Sequence, residues 1–348
     1  MMWLTWRQFR AQTIAAAAAL AVAAIALAAT GPHLTSLYAT SGIPACHAHG
    51  DCGRLASDFV SQLKAGTAYA LLFYIGIGLM FLAPAIIGVF WGAPLVTREI
   101  EAGTFRLAWG QSVTRTRWLA VKLCLIGLAA MAAAGLLSLM ITWWASPIDR
   151  TIGIAGGSRA TAFYRLDPLL FAARGITPVG YAAFAFALGV TAGVLIRRTL
   201  PAMAVTLAVF ALVQIAMPSW IRPHLITPVR TAVALNTANI NGLMIGNNNS
   251  MTVIGGVNEP GAWVLSNQTI TQAGHVFTGP PTAACQSQTA SFQACQASLG
   301  RLHLRQLLTY QPASRYWAFQ WYETAIFLVL AVVLAGFCFW RIRRRRLS

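Results

Sequence analysis

TREIEAGTFRLAWGQSVTRTRW, residues Thr97 to Trp118, interrupts an otherwise apolar chain. The 348 residues include 25 Lys and Arg and 8 Asp and Glu, and six of these charges fall in this one short stretch: Arg98, Glu99, Glu101, Arg106, Arg115 and Arg117. Long apolar runs flank it on both sides. A segment that leaves an apolar medium, turns in water and re-enters has this composition.

The rest of the sequence identifies the medium. Charged residues make up 9% and the hydrophobic set 57% of the chain, and the mean hydropathy is +0.62. Soluble domains carry about 25% charged residues, so this chain belongs with integral membrane proteins. The net charge of +17 does not point to nucleic acid. The basic residues sit beside apolar runs, where they set orientation, and no basic, aromatic-interleaved domain is visible. Lys64 and Lys122 are the only lysines. Neither stands in the Gly-Lys-Ser/Thr context of a phosphate-cradling loop, so the chain has no standard P-loop ATPase site of its own.

A helix needs about 20 mostly apolar residues to cross the hydrocarbon core. Six runs qualify: Ile14–Thr30, Thr67–Phe90 (continuing to about residue 96), Trp118–Ala145, Gly175–Ile196, Leu200–Met217 and Tyr322–Trp340. The expected fold class is therefore an all-α integral membrane protein with six transmembrane helices. Residues 1–13 read as an amphipathic lead-in, and 31–66, 146–174 and 218–321 as outer loops. Within the last of these, the aromatic stretch RLHLRQLLTYQPASRYWAFQW reads as interfacial or re-entrant. Arg7 and Arg10, the Thr97–Trp118 arginines, Arg197 and Arg198, and the tail RIRRRRLS (residues 341–348) all fall on one side of a six-span arrangement. The positive-inside rule then makes both termini cytoplasmic. The basic flank and small-residue end of the first run also suit a cleaved leader, and the two readings stand together.

Cys46, Cys52, Cys285 and Cys295 fall in outer loops, where disulfides persist; the short separations favour Cys46–Cys52 and Cys285–Cys295. The cluster CHAHGDC also offers His47, His49 and Asp51 as metal ligands, although its spacing fits no standard zinc pattern. Cys124 and Cys338 lie within spans as apolar fillers. All six histidines lie outside the span middles, which disfavours a membrane cytochrome. Ionisable residues inside the membrane normally mark ion pathways, and the spans hold almost none. Lys122 is expected to snorkel to the surface, and Glu323 to meet water near Arg315. Gln214 is the one interior polar side chain of note. Ala185, Gly189 and Gly193 form a small-residue stripe, read as intramolecular packing or as a subunit contact. No set of residues suggests an enzyme active site.

Within the charged stretch, Gly103 can stop the second span and Thr104 can cap a short helix over FRLAWG. Thr114 can cap the third span. A short, partly apolar helix presented between two rigid spans is either a docking element or an interfacial anchor. The pattern resembles the first cytoplasmic loop of ABC type-2 exporter permeases: E-x-E-x-G-T, a short helix, a Ser/Thr-Arg pair and a Lys in the next span. Glu99, Glu101, Gly103, Thr104, Thr114, Arg115 and Lys122 stand at the matching places. The lead-in WLTWRQFRAQ and the last span resemble actinobacterial members, and the likeness is weakest between Asn236 and Gly300.

The resemblance implies a membrane subunit with no catalytic residues. Two permease chains form one pathway, and separate ATPase chains bind ATP and Mg beneath them. Phe105, Leu107 and Trp109 would be the buried contacts with the ATPase, while Glu99, Glu101 and Arg106 would set orientation. The substrate site would lie between the second and fifth spans at the dimer axis. No motif maps it residue by residue, and on chemistry alone Phe73, Tyr74, Phe81, Phe210 and Gln214 are the candidates for an apolar, aromatic cavity suited to amphipathic cargo. A sensor or immunity subunit without bulk transport, and an ATP-independent channel or scaffold, are the alternative readings.

Overall fold

The computed structural model describes residues 2–46, 52–102, 114–154, 165–235, 240–245, 251–255, 261–279, 285 and 292–344. Six helical segments among them are long and apolar enough to cross a membrane: Phe9–Thr40, Thr67–Glu101, Thr116–Thr151, Thr177–Ile196, Thr199–Leu225 and Ala313–Arg344.

The first helix, α1 (Met2–Thr40), is continuous, so the lead-in and first span are one rod rather than two elements. Most of residues 31–66 is also helical: α1 runs on to Thr40, and α2 (Cys52–Ala65) follows. A disulfide joins Cys46 to Cys52 (Cα–Cα 5.8 Å), and another joins Cys285 to Cys295 (4.7 Å). His47, His49 and Asp51 lie outside the described residues.

The second span is α3 (Thr67–Ile86), a π-helical turn (Ile87–Gly92) and α4 (Pro94–Glu101). The break has a local cause. Proline has no N–H, and its ring crowds the carbonyl of residue i−4, which here is Phe90. The wider turn relieves that crowding, and the Phe90 carbonyl accepts instead from Gln12 Nε2 of α1 at 3.0 Å. The third span is α5 (Arg115–Ile154), nine residues longer at its far end than the apolar run alone suggested. A short helix, α6 (Pro168–Ala172), leads to α7 (Thr177–Ile196), the fourth span, and α8 (Thr199–Ala216), the fifth. The fifth span then passes through a second π-helical turn (Met217–Ile221) into α9 (Arg222–Leu225).

Helix α7 is the hub. Its apolar window is 78% buried, against 39% or less for the other five. The small-residue stripe packs within the chain. A methyl placed on Gly88 would come within 2.7 Å of the Ala185 carbonyl oxygen, and one on Gly189 within 2.8 Å of the Ala93 nitrogen. Side chains at these positions would hold the second and fourth spans apart, so glycine sets the interhelical distance.

Residues 218–321 hold a folded β-element, which corrects the all-α expectation to a mostly helical protein. Strands β1 (Val229–Ala234), β4 (Trp263–Ile270) and β5 (Arg305–Gln311) form an antiparallel sheet in the order β1-β5-β4, and β2 (Ile240–Ile245) pairs with β3 (Met251–Gly255). The RQLLTYQ segment expected at the interface is the central strand. It alternates with period two and buries Gln306, Leu308 and Tyr310 on one face. Helix α10 (Phe292–Gly300) packs Cys295 and Leu299 against Leu235, Val253 and Leu304. The last helix, α11 (Tyr316–Arg344), runs alongside α7.

Gly189→Val should force the second and fourth spans apart and cost about 1–3 kcal/mol through overpacking. Gly78→Ala, where no atom lies within 4 Å of the new carbon, should leave the thermal midpoint of the detergent-purified chain unchanged. Equal midpoints for both variants would contradict the close approach.

Candidate functional site

Two arrangements bear on function: the base of the charged loop, and a cavity between the second and fifth spans. The first starts from helix geometry. Residues i and i+2 on a helix do not face each other, so the two carboxylates of REIE reach different neighbours. Glu99 pairs with Lys122 of the third span. Lys122 is buried at 4% exposure rather than snorkelling, and its ammonium lies 4.7 Å from the Trp118 ring centroid. Glu101 turns to the fifth span and accepts from Thr199 N at 2.8 Å and Thr199 Oγ1 at 2.7 Å. A carboxylate there satisfies amide groups that the first turn of α8 leaves without helical partners. Thr97 Oγ1 lies 2.8 Å from Thr199 Oγ1 and adds to the same joint. Thr114 Oγ1 accepts from Arg117 N at 3.4 Å where the third span begins.

The expected ATPase-contacting residues Gly103, Thr104, Phe105, Arg106, Leu107 and Trp109 lie outside the described residues, as does the side chain of Arg115. Glu99 and Glu101 are described, and both are engaged inside the chain.

The second arrangement is a cavity of about 470 Å³. Phe81 and Ala85 of the second span form one wall and Phe210 and Gln214 of the fifth the other, with Leu169 of α6 and Arg222 closing it. The structure thus brings together three of the five residues proposed for a substrate pathway. Phe73 does not line the cavity: it packs against a cluster that Phe81 also touches, with the Arg174 guanidinium 5.7 Å from its ring, and Tyr74 is 54% exposed. Phe73 lies eight residues before Phe81 in the same helix, about 12 Å along its axis, which sets it beyond the cavity lining.

The floor of the cavity holds what sequence reading missed. Glu323 is fully buried rather than water-exposed, and Arg222, expected in a loop, is 1% exposed. Arg222 Nε donates to Glu323 Oε2 at 2.8 Å and Nη2 to Oε1 at 3.0 Å. Tyr181 of the fourth span donates its hydroxyl to the same carboxylate, and the guanidinium stacks 4.2 Å from the Phe171 ring centroid. The group joins the fourth, fifth and sixth spans in a fork-shaped, charge-assisted pair. Next to it, Gln320 accepts at Oε1 from Ile176 N (2.9 Å) and Thr177 N (3.1 Å), capping α7. Asp167 caps α6 by accepting from Leu169 N at 3.0 Å. Burial raises its carboxyl above the usual range, against the opposing pull of that bond and of Arg222. The signal for the ion pair was present as a single Arg and a single Glu at facing span ends, 101 residues apart, a separation no local pattern reveals.

A model of the ABC-2 membrane transporter related family matches residues 17–222, more than half of the chain. The chain belongs to that family. No curated protein and no solved structure matches it. The ABC-2 match runs from within the first membrane span through the fifth and ends at Arg222, so it takes in both the loop base and the cavity walls. Membership makes the chain a multi-pass membrane component of an ABC transporter, and the family implies an ABC ATPase partner and permease pairing.

Glu323→Ala should leave Arg222 buried without its counter-charge and cost about 3–5 kcal/mol. The double variant Arg222→Met/Glu323→Met should recover most of that loss. A double-mutant cycle on thermal midpoints in detergent measures the coupling, and additive losses would mean that the pair contributes nothing.

Proposed function

We propose that this chain is the permease subunit of an ATP-driven exporter in a bacterial cell membrane, with both termini cytoplasmic. Two permease chains, identical or related, form the pathway, and a separate ATPase that binds ATP and Mg docks on the 97–117 loop. The cargo is a hydrophobic or amphipathic compound, such as a drug, an antibiotic or a lipid.

The observation that carries this reading is the double tether at the loop base. Glu99 fixes the end of the second span to the third, and Glu101 fixes it to the start of the fifth. A push on residues 103–113 would therefore load three spans at once, two of which wall the cavity. Phe105, Leu107 and Trp109 supply apolar contact for an ATPase groove, and Arg106 and Arg115 supply charge at its rim. Phe81, Phe210 and Gln214 offer an apolar surface with one amide, which suits amphipathic cargo. Phe73 and Tyr74 stand apart from that cavity and are not assigned to the pathway.

The full chain, purified from its native membrane in mild detergent, should co-elute with a Walker-loop ATPase near one-to-one and lose it when Phe105 and Trp109 become Ala. Glu101→Gln should retain the ATPase yet lower cargo-stimulated hydrolysis several-fold, because the loop then moves without the fifth span. ATPase binding without cargo flux would favour a sensor or immunity subunit. No ATPase, even after cross-linking, would leave a channel or scaffold.

A further inference from the structure

Two hollows on the opposite side of the second span adjoin at a shared wall and together outline a slot. The first, about 310 Å³, lies at the loop end and is edged by Gln12, Arg98, Glu99 and Lys122. The second, about 400 Å³, continues from it between α1, α3 and α5. The two share Gln12, Phe90 and Trp91. The upper hollow exists because small side chains face one another: Ala15, Ala19 and Ala23 of α1 stand opposite Ala83 of α3 and Ala133 and Ala134 of α5. Its polar end and apolar length are separated along the helix axes, as in an amphiphile.

We propose that this slot binds one anionic phospholipid from the leaflet on the side of the Thr97–Trp118 loop, with the phosphate at Arg98 and an acyl chain along the alanine-lined groove. Dimensions select the occupant. The groove runs from Gln12 to Ala23, which at 1.5 Å per residue is about 17 Å, and one leaflet of hydrocarbon is about 15 Å deep. A volume of about 400 Å³ drawn out over that length leaves a section of roughly 25 Å². A narrow, elongated groove of this length follows a flexible chain, and a helix of a second copy, about 10 Å across, is the competing occupant that chain-to-chain cross-linking separates.

Charge selects the headgroup. Glu99 and Lys122 neutralise each other. The Arg98 guanidinium makes no hydrogen bond or ion pair among the described residues, and it is exposed at the mouth. Gln12 has spent one amide hydrogen on the Phe90 carbonyl, and its second can donate to a phosphate oxygen. The nearest other acid, Glu101, is bonded to Thr199 and faces Arg198 as well as Arg98, so the mouth keeps a net positive charge beside a neutral donor. In the hydrocarbon region an empty apolar groove forfeits dispersion contacts on both walls, which a lipid tail restores. The inference does not rest on the transport reading.

Native mass spectrometry of the full chain in detergent, titrated with phosphatidylglycerol and separately with phosphatidylcholine of the same acyl chains, tests it. The expected result is one phosphatidylglycerol retained per chain, in preference to phosphatidylcholine. Arg98→Ala should weaken phosphatidylglycerol retention about fivefold, the scale of one basic residue at an anionic headgroup, and Arg98→Lys should keep most of it. Ala19→Phe should block both lipids. Each variant is first required to elute as a single species with the parent thermal midpoint, and a diazirine-tailed phosphatidylglycerol on the unaltered chain gives an independent readout. Its label should fall on Ala15–Ala23 or Ala133–Leu137. Equal retention of the two lipids by the unaltered chain, unchanged phosphatidylglycerol retention in Arg98→Ala, or label confined to other helices would each overturn the proposal. So would efficient chain-to-chain cross-linking through Ala19→Cys, which would place a second copy at the slot.

Discussion

The close approach of the second and fourth spans is the constraint from which the rest of the bundle follows. Where Gly88 and Gly92 meet Ala185 and Gly189, backbone lies against backbone, and the other spans are left to wrap around α7 rather than stand beside it. Lipid tails are as apolar as leucine, so burial alone gives helices no reason to associate in a membrane. Close van der Waals contact and a few polar joints must do it instead. The π-helical turn at Ile87–Gly92 belongs to the same contact: Pro94 widens the helix where Gly88 and Gly92 meet the fourth span.

The polar joints then lie at the two ends of that packed core. At one end, Arg222, Glu323 and Tyr181 draw three spans together, and Gln320 caps the hub helix. At the other end, Glu99 with Lys122 and Glu101 with Thr199 tie the second span to its neighbours. A buried charge is tolerable only when its partner and its remaining hydrogen bonds are supplied, and each of these carboxylates accepts from more than one group or sits against a partly shielded cation. The joints at Glu99 and Glu101 bind the loop base to the third and fifth spans, and the fifth span also walls the cavity.

The β-element has its own logic. Strand β1 continues from the end of the fifth span, and β5 leads into the start of the sixth. Their pairing, with Gln311 Nε2 donating to the Ile226 carbonyl at 2.6 Å and Arg315 Nη1 to the Thr227 carbonyl at 2.7 Å, clasps the two span ends. Gln311 Nε2 also lies 3.5 Å from the Pro223 carbonyl, next to Arg222, so the clasp and the buried Arg222–Glu323 pair sit at the same end of the bundle.

The sequence alone determined that this is a membrane protein with six apolar spans, that its charged loop follows the pattern of ABC-2 permeases, and that the four cysteines outside the spans pair locally. Hydrophobic length, charge spacing and loop length are properties of neighbouring residues, and they survive without a fold. Only the tertiary structure decided that Glu323 and Arg222 are buried partners, that Lys122 belongs to Glu99, and that RQLLTYQ is a central strand. Each of those depends on a residue far away in the chain. A lone glutamate at a span end reads as wet until an arginine 101 positions away closes on it, and a seven-residue alternation becomes a strand only when Val229–Ala234 and Trp263–Ile270 arrive on its two sides. Long-range pairing leaves no local trace, because the energy that fixes it comes from desolvated contacts that exist only once the chain has folded.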